Sequence, residues 1–149
     1  MVLNKGDKAP GFKLEGSDGK THSLKDYNDK KLVLYFYPKD NTPGCTTQAC
    51  SFRDGYDELK EAGYVVLGMS ADSIKSHKSF VEKKNLNFVL LSDPDKETIQ
   101  KYDALKEKSM FGKTFMGIQR CTYVIDRGVI VKVIPKSDPK SAVEEILGN

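Results

Sequence analysis

The run Leu32-Val33-Leu34-Tyr35-Phe36-Tyr37, followed at once by Pro38-Lys39-Asp40-Asn41-Thr42-Pro43-Gly44-Cys45-Thr46-Thr47-Gln48-Ala49-Cys50, decides how this chain is read. Six consecutive apolar residues without polar alternation predict a strand buried on both faces, hence a central one. The Pro/Gly turn after it delivers Cys45 into the first turn of a helix. Backbone N–H groups aligned at a helix start favour negative charge, so this position favours the thiolate, the nucleophilic form of cysteine. Cys50 follows five residues later, close enough to capture whatever Cys45 becomes. The pair reads as an attacking and a resolving thiol, which is redox chemistry.

Outward from this stretch, strand-like and helix-like segments alternate, with no repeat or linker. On the N-terminal side, Phe12-Lys13-Leu14 and Lys20-Thr21-His22-Ser23-Leu24 flank the turn Gly16-Ser17-Asp18-Gly19 and predict a short hairpin. On the other side, Ala49, Phe52, Tyr56 and Leu59 recur near helical spacing and predict a helix from Cys45 to Ala62, stopped by Gly63. Tyr64 to Ser70 reads as a second buried strand, and Ser73 to Lys84 as a helix capped by the Ser73 hydroxyl. Phe88 to Ser92 is a strand, Asp95 to Tyr102 a short helix, and Lys106 to Gly117 a loop. Cys121 to Asp126, the turn Arg127-Gly128 and Val129 to Ile134 make a hairpin, and Ser141 to Leu147 a closing helix. The order β-α-β-α-β-α-β-β-α predicts an α/β fold with a mixed central sheet covered on both faces by helices.

At 149 residues the chain is expected to be one domain, 1–149, with a core that needs no disulfide staple. No apolar run approaches the ~18–20 residues of a membrane span, and Met1 to Asp7 lacks a signal-peptide apolar region, so the expected location is the cytoplasm and no membrane partner is expected. The net charge of +3 is small, and Lys alternates with Asp and Glu without a basic cluster, which argues against nucleic acid. A metal module would want Cys-x-x-Cys pairs or clustered His, and a dithiol oxidoreductase of the thioredoxin type would want Cys-x-x-Cys at the helix start; here four residues separate Cys45 from Cys50. That oxidoreductase is the alternative enzyme reading, and a redox sensor with little turnover is a third. His22 and His77, in a polar turn and on a charged helix face, are read as solvated, which leaves no His for a hydrolase site. Cys121, inside an apolar strand, is read as a small buried apolar residue.

The alternation with a reactive cysteine on the helix after the first long strand resembles the thioredoxin-like fold. More specifically, Pro38, Thr42 and Cys45 match the Pro-x-x-x-Thr-x-x-Cys pattern of peroxiredoxins, and Arg120 matches their active-site arginine. Tyr35 to Asp40, Thr42 to Cys50, Gly6 to Pro10 and Gly117 to Arg120 resemble the bacterioferritin comigratory protein or peroxiredoxin Q branch, and the likeness runs from about Gly6 to Leu147. The resemblance implies a peroxidase in which Cys45 attacks a peroxide and becomes sulfenic acid, Cys50 resolves it as an intramolecular disulfide, and thioredoxin or a similar dithiol reduces the bond. It implies that Arg120 supplies fixed charge, that the Thr42 hydroxyl aligns the peroxide, that Pro38 shields the sulfur, and that no cofactor or metal takes part. A resolving cysteine within the chain implies a monomer. One departure is Gln48, which stands where peroxiredoxins often carry Glu: the amide accepts a hydrogen bond but does not neutralise Arg120.

Overall fold

A computed structural model describes residues 3–148; Met1, Val2 and Asn149, which the one-domain reading takes in, lie outside the described residues. The apolar run forms β3 (Lys31–Phe36) in the middle of a five-stranded sheet. It pairs in parallel with β4 (Tyr64–Ser70), which pairs in parallel with β5 (Val89–Ser92). On its other edge it pairs antiparallel with β8 (Cys121–Asp126), and β8 with β9 (Val129–Ile134), so the sheet is mixed, as expected. Arg127 and Gly128 both take positive φ, 53° and 78°, the conformation a two-residue hairpin turn requires.

Alternation along β3 divides the core in two. Val33, Tyr35 and Tyr37 face a cluster with Phe52 and Tyr56 of α1 (Pro43–Glu61), Phe80 of α2 (Ile74–Lys84) and Ile146 of α4 (Ala142–Leu147). Leu32, Leu34 and Phe36 face a second cluster with Ile99 of α3 (Glu97–Lys101), Tyr102, Phe12 and Ile118. Three helices therefore cover one face. The other is closed by the five-residue α3 and by the N-terminal segment that carries β1 (Lys13–Glu15) and β2 (Thr21–Ser23). That N-terminal hairpin forms as expected.

α1 starts two residues earlier than its periodicity indicates, because Pro43 occupies the first helical position, where its missing N–H costs nothing. It ends before Gly63, whose φ of +90° no ordinary L residue adopts cheaply. The Ser73 hydroxyl accepts from Ser76 N–H at 3.2 Å, so α2 is capped as expected. α3 is shorter than the stretch Asp95 to Tyr102, because Lys96, with φ +61°, starts the chain into it from the left-handed region.

The reading of Lys106 to Gly117 as a loop is corrected. These residues form most of a two-stranded hairpin, β6 (Leu105–Met110) and β7 (Lys113–Ile118), which turns at Phe111-Gly112. Most of it is exposed, including Met110, Phe111, Phe115 and Met116. A ribbon with neither face consistently buried carries no two-residue burial period, so its sequence shows no strand signal.

Candidate active site

Cys45 is the third residue of α1, and the first backbone bond of that helix runs from Thr46 N–H to the Thr42 carbonyl at 2.8 Å. Helix geometry leaves the Gly44 and Cys45 N–H groups without an intrahelical acceptor, free to meet an anion. The thiol itself is 2% exposed. Arg120, in the connection between β7 and β8, reaches across the sheet end to it: Nη2 donates to Cys45 Sγ at 3.2 Å, and Nη1 donates to Gln48 Oε1 at 2.8 Å. The two arms of one planar fork thus fix the guanidinium between the sulfur and the amide one helical turn below it. Gly44 leaves room for this approach, since a β-carbon there would lie 3.1 Å from Arg120 Nη2 and press the guanidinium back by a few tenths of an ångström.

The site is short of acceptors and holds idle polar groups. Gln48 is fully buried, and its Nε2 has no hydrogen-bond partner among the described residues. The same is true of the Tyr35 hydroxyl, whose ring packs on Phe52 at 4.7 Å. Burial above all, and then negative charge at Cys45 and Asp40, pushes the Tyr35 phenol well above its ordinary range, so it stays protonated. Buried groups left unpaired cost stability, and here Tyr35 shares a core cluster with Cys45 while Gln48 shares the Arg120 fork with it.

Thr42 has the extended backbone of a residue that precedes a helix, φ −81° and ψ 155°. Its hydroxyl donates to the Lys39 carbonyl at 2.9 Å and closes the turn of residues 39–42, in which Asn41 takes φ +62°. Pro38 is half-buried at the head of this turn and, with Lys39, Ala71, Lys108, Met110 and Phe115, lines a cleft of about 420 Å³. Cys50 is half-buried on the same regular helix as Cys45. Five residues of regular helix separate two Cα atoms by roughly 8.6 Å, whereas a disulfide tolerates up to about 7 Å. All three cysteines are free thiols.

Cys121 sits across the sheet. It pairs with Phe36 in the register of β3 and β8 and belongs to the other core cluster, where burial pushes its thiol up to about 12. The apolar reading of this residue fits its surroundings.

The reading of both histidines as solvated is corrected. His22 is partly buried, with Nδ1 2.7 Å from the Tyr27 hydroxyl and Nε2 2.9 Å from Asp18. His77 is wholly buried, with Nδ1 2.7 Å from Asp40 Oδ2 and Nε2 2.9 Å from the Leu91 carbonyl. Its sequence neighbours Lys75, Lys78 and Lys83 suggested a charged face, but Ile74, His77, Phe80 and Val81 share the helical spacing that turns inward. Burial would raise the Asp40 carboxyl, but hydrogen bonds from His77 and Tyr37, the His77 charge and the Ser76 hydroxyl outweigh it and hold the group below the ordinary carboxylate range.

Residues 5–134 match the model of the AhpC/TSA family. The chain is 49% identical to the putative peroxiredoxin bcp of Coxiella burnetii over 149 residues, covering 99% of each. Among solved structures, a PrxQ mutant from Xylella fastidiosa superposes with a TM-score of 0.92 at 36% identity, covering 99% of this chain and 94% of that one. The bacterioferritin comigratory protein of Xanthomonas campestris, solved as trapped intermediate and ligand complexes of alkyl peroxide reduction, superposes with a TM-score of 0.86 at 37% identity, over 91% of this chain and 87% of that one.

Proposed function

Because the chain belongs to the AhpC/TSA family and is a thiol-dependent peroxidase of the Bcp and peroxiredoxin Q type, we propose that Cys45 is its attacking thiol, Cys50 its resolving thiol and thioredoxin its reductant. The observation that carries the reading is the Arg120 Nη2 contact to Cys45 Sγ at 3.2 Å on the first turn of α1. A fixed cation and free N–H groups converge on one sulfur, which is what a thiolate and its transition state need.

In the first step the Cys45 thiolate attacks one oxygen of a peroxide, the O–O bond breaks, and the other oxygen leaves as water or an alcohol after taking a proton. Charge spreads along S···O···O, and Arg120 with the Gly44 and Cys45 N–H groups stabilises it. In this reading the Thr42 hydroxyl, which donates to the Lys39 carbonyl, has lone pairs left to accept from the peroxide, and Pro38 keeps bulk water from the sulfur. In the second step Cys50 attacks the sulfenic sulfur, water leaves, and a disulfide forms. The span across regular helix forbids that bond, so the first turns of α1 unwind before it closes. The exposed disulfide is then reduced by thioredoxin. The cleft beside Pro38 supports organic hydroperoxides alongside hydrogen peroxide as substrates. Among the described residues no helix is long and apolar enough to cross a membrane, which agrees with action in the cytoplasm, and the resolving thiol on the same helix supports a monomer.

Turnover with thioredoxin and its reductase, run in parallel on hydrogen peroxide and a bulky alkyl hydroperoxide, tests the proposal. Catalytic consumption of both is the expected result. Oxidation that stops at one equivalent per chain points to a sensor instead.

A further inference from the structure

A polar knot lies buried just upstream of Cys45, and the peroxidase chemistry above makes no use of it. Asp40 is its centre. Its backbone N–H donates to Asp72 Oδ2 at 2.8 Å, its Oδ1 accepts from the Tyr37 hydroxyl at 2.6 Å, and its Oδ2 accepts from Ser76 Oγ and meets His77 Nδ1, both at 2.7 Å. Asp72 is held in turn by Ser70 Oγ at 2.7 Å. The far nitrogen of His77 faces the Leu91 carbonyl, which only accepts. The ring is thus held at both nitrogens, by Asp40 Oδ2 on one side and by the Leu91 carbonyl on the other. Asp40, Asp72 and His77 offer atoms within 4.8 Å of one another, but these atoms are already engaged with each other and with serine and tyrosine hydroxyls.

This knot ties the ends of β3, β4 and β5 and the first turn of α2 to one residue of the turn that leads into α1. Asp40 is five residues before Cys45, and between them the chain makes the turn closed by Thr42 and enters the helix at Pro43. Arg120 comes to the sulfur from a different part of the sheet. The alignment of sulfur and guanidinium therefore depends on where Asp40 is held. Downstream, Ala49 and Phe52 are buried in the core, so the segment that must unwind lies between two anchors.

We propose that His77, by holding Asp40 through Nδ1, is the positioning residue that keeps residues 38–45 in their peroxide-reactive arrangement and so sets the fate of the Cys45 sulfenic acid. That acid has two fates. Cys50 displaces its oxygen as water and forms the disulfide, or a second peroxide transfers an oxygen to give sulfinic acid and leaves as water, or as an alcohol when it is an alkyl hydroperoxide. The first fate needs the turn to loosen; the second needs it to stay. This inference rests on Cys45 as attacking thiol and Cys50 as its partner.

His77→Asn keeps a donor where Nδ1 stands, whereas His77→Gln moves the donor toward Leu91 and gives up Asp40. Reduced protein is mixed with hydrogen peroxide in stopped flow, and the sulfinic fraction is then measured by mass spectrometry across a peroxide series. His77→Gln slows attack by about tenfold, the scale of a misplaced reacting group, and lowers the sulfinic fraction at a given peroxide concentration, while His77→Asn stays within about twofold of the unmodified chain on both measures. An unchanged attack rate in His77→Gln overturns the proposal. Equal losses in the Asn and Gln variants, in step with their melting temperatures, also overturn it, since they mean that the ring only fills space. If His77→Gln does not fold, Ser76→Ala removes another donor to the same Asp40 oxygen from a half-buried position, and it must slow attack in the same direction by at least about twofold. Should the unmodified chain form no bond between Cys45 and Cys50, the resolving assignment fails by itself, and the attack rate still decides the role of His77.

Discussion

Cys45 and Cys121 are the same side chain at nearly the same burial, 2% and 4% exposed, on opposite faces of one sheet. Burial alone therefore does not separate them. Around Cys121 most neighbours are apolar, burial outweighs the nearby Lys106 charge, and the thiol is pushed up to about 12 and kept neutral. Around Cys45 stand the N–H groups of a helix start and a donating arm of the Arg120 fork. Reactivity follows from what a buried sulfur faces.

Exchanging the sulfur for oxygen is the hardest blow to this contrast. Cys45→Ser abolishes peroxide reduction, because a serine hydroxyl does not ionise near neutral pH, whereas Cys50→Ser keeps the first stoichiometric turnover, loses thioredoxin-coupled cycling and leaves Cys45 open to sulfinic acid. Thioredoxin-dependent turnover that survives in Cys50→Ser removes Cys50 from its role. Next in size is the charge on Cys45. Arg120→Lys keeps the charge but cannot hold both Sγ and Gln48 Oε1, so stopped-flow attack slows by roughly tenfold, about 1.4 kcal/mol, with little change in melting temperature. An unchanged rate would reduce Arg120 to a structural role.

Hydrogen exchange carries the contrast into dynamics. On oxidation, protection falls across 42–52 while β3 keeps its own, because the disulfide cannot close on a regular helix. Equal protection in the two redox states would mean that Cys50 is not the partner. The smallest effects belong to Cys121. Cys121→Ser leaves turnover unchanged and costs about 1–3 kcal/mol in denaturant melts, since a hydroxyl replaces a thiol among apolar neighbours. Because the folded state raises this pKa, its contribution to stability is complete below the ordinary thiol value and is lost as pH rises towards about 12. Cys121→Val therefore loses less stability than the unmodified chain over that alkaline range, and parallel curves would contradict the apolar picture of the Cys121 site.

Much of the fold was legible because burial leaves a period. The apolar run Leu32 to Tyr37, five of whose residues lie in β3, the inward spacing of α1 and the Arg127-Gly128 turn each report their own conformation through local signals. The hairpin Leu105 to Ile118 did not, since a ribbon with no consistently buried face leaves no period to read. The inward position of His77 is masked for a related reason: four lysines on its helix outweigh the spacing with Ile74 and Phe80.

By itself the sequence determined the α/β order, the central strand, and a cysteine delivered to a helix start by a Pro/Gly turn, all of which depend on residues near one another in the chain. Tertiary structure alone decided which groups meet. Arg120 reaches Cys45 across 75 positions, Gln48 takes the other arm of its fork, and His77 grips Asp40 across 37. The physical reason is that conformational preference is local, while the position of a charge beside a sulfur is set by how strands pair and helices pack, and that pairing brings together residues whose types alone do not name their partners.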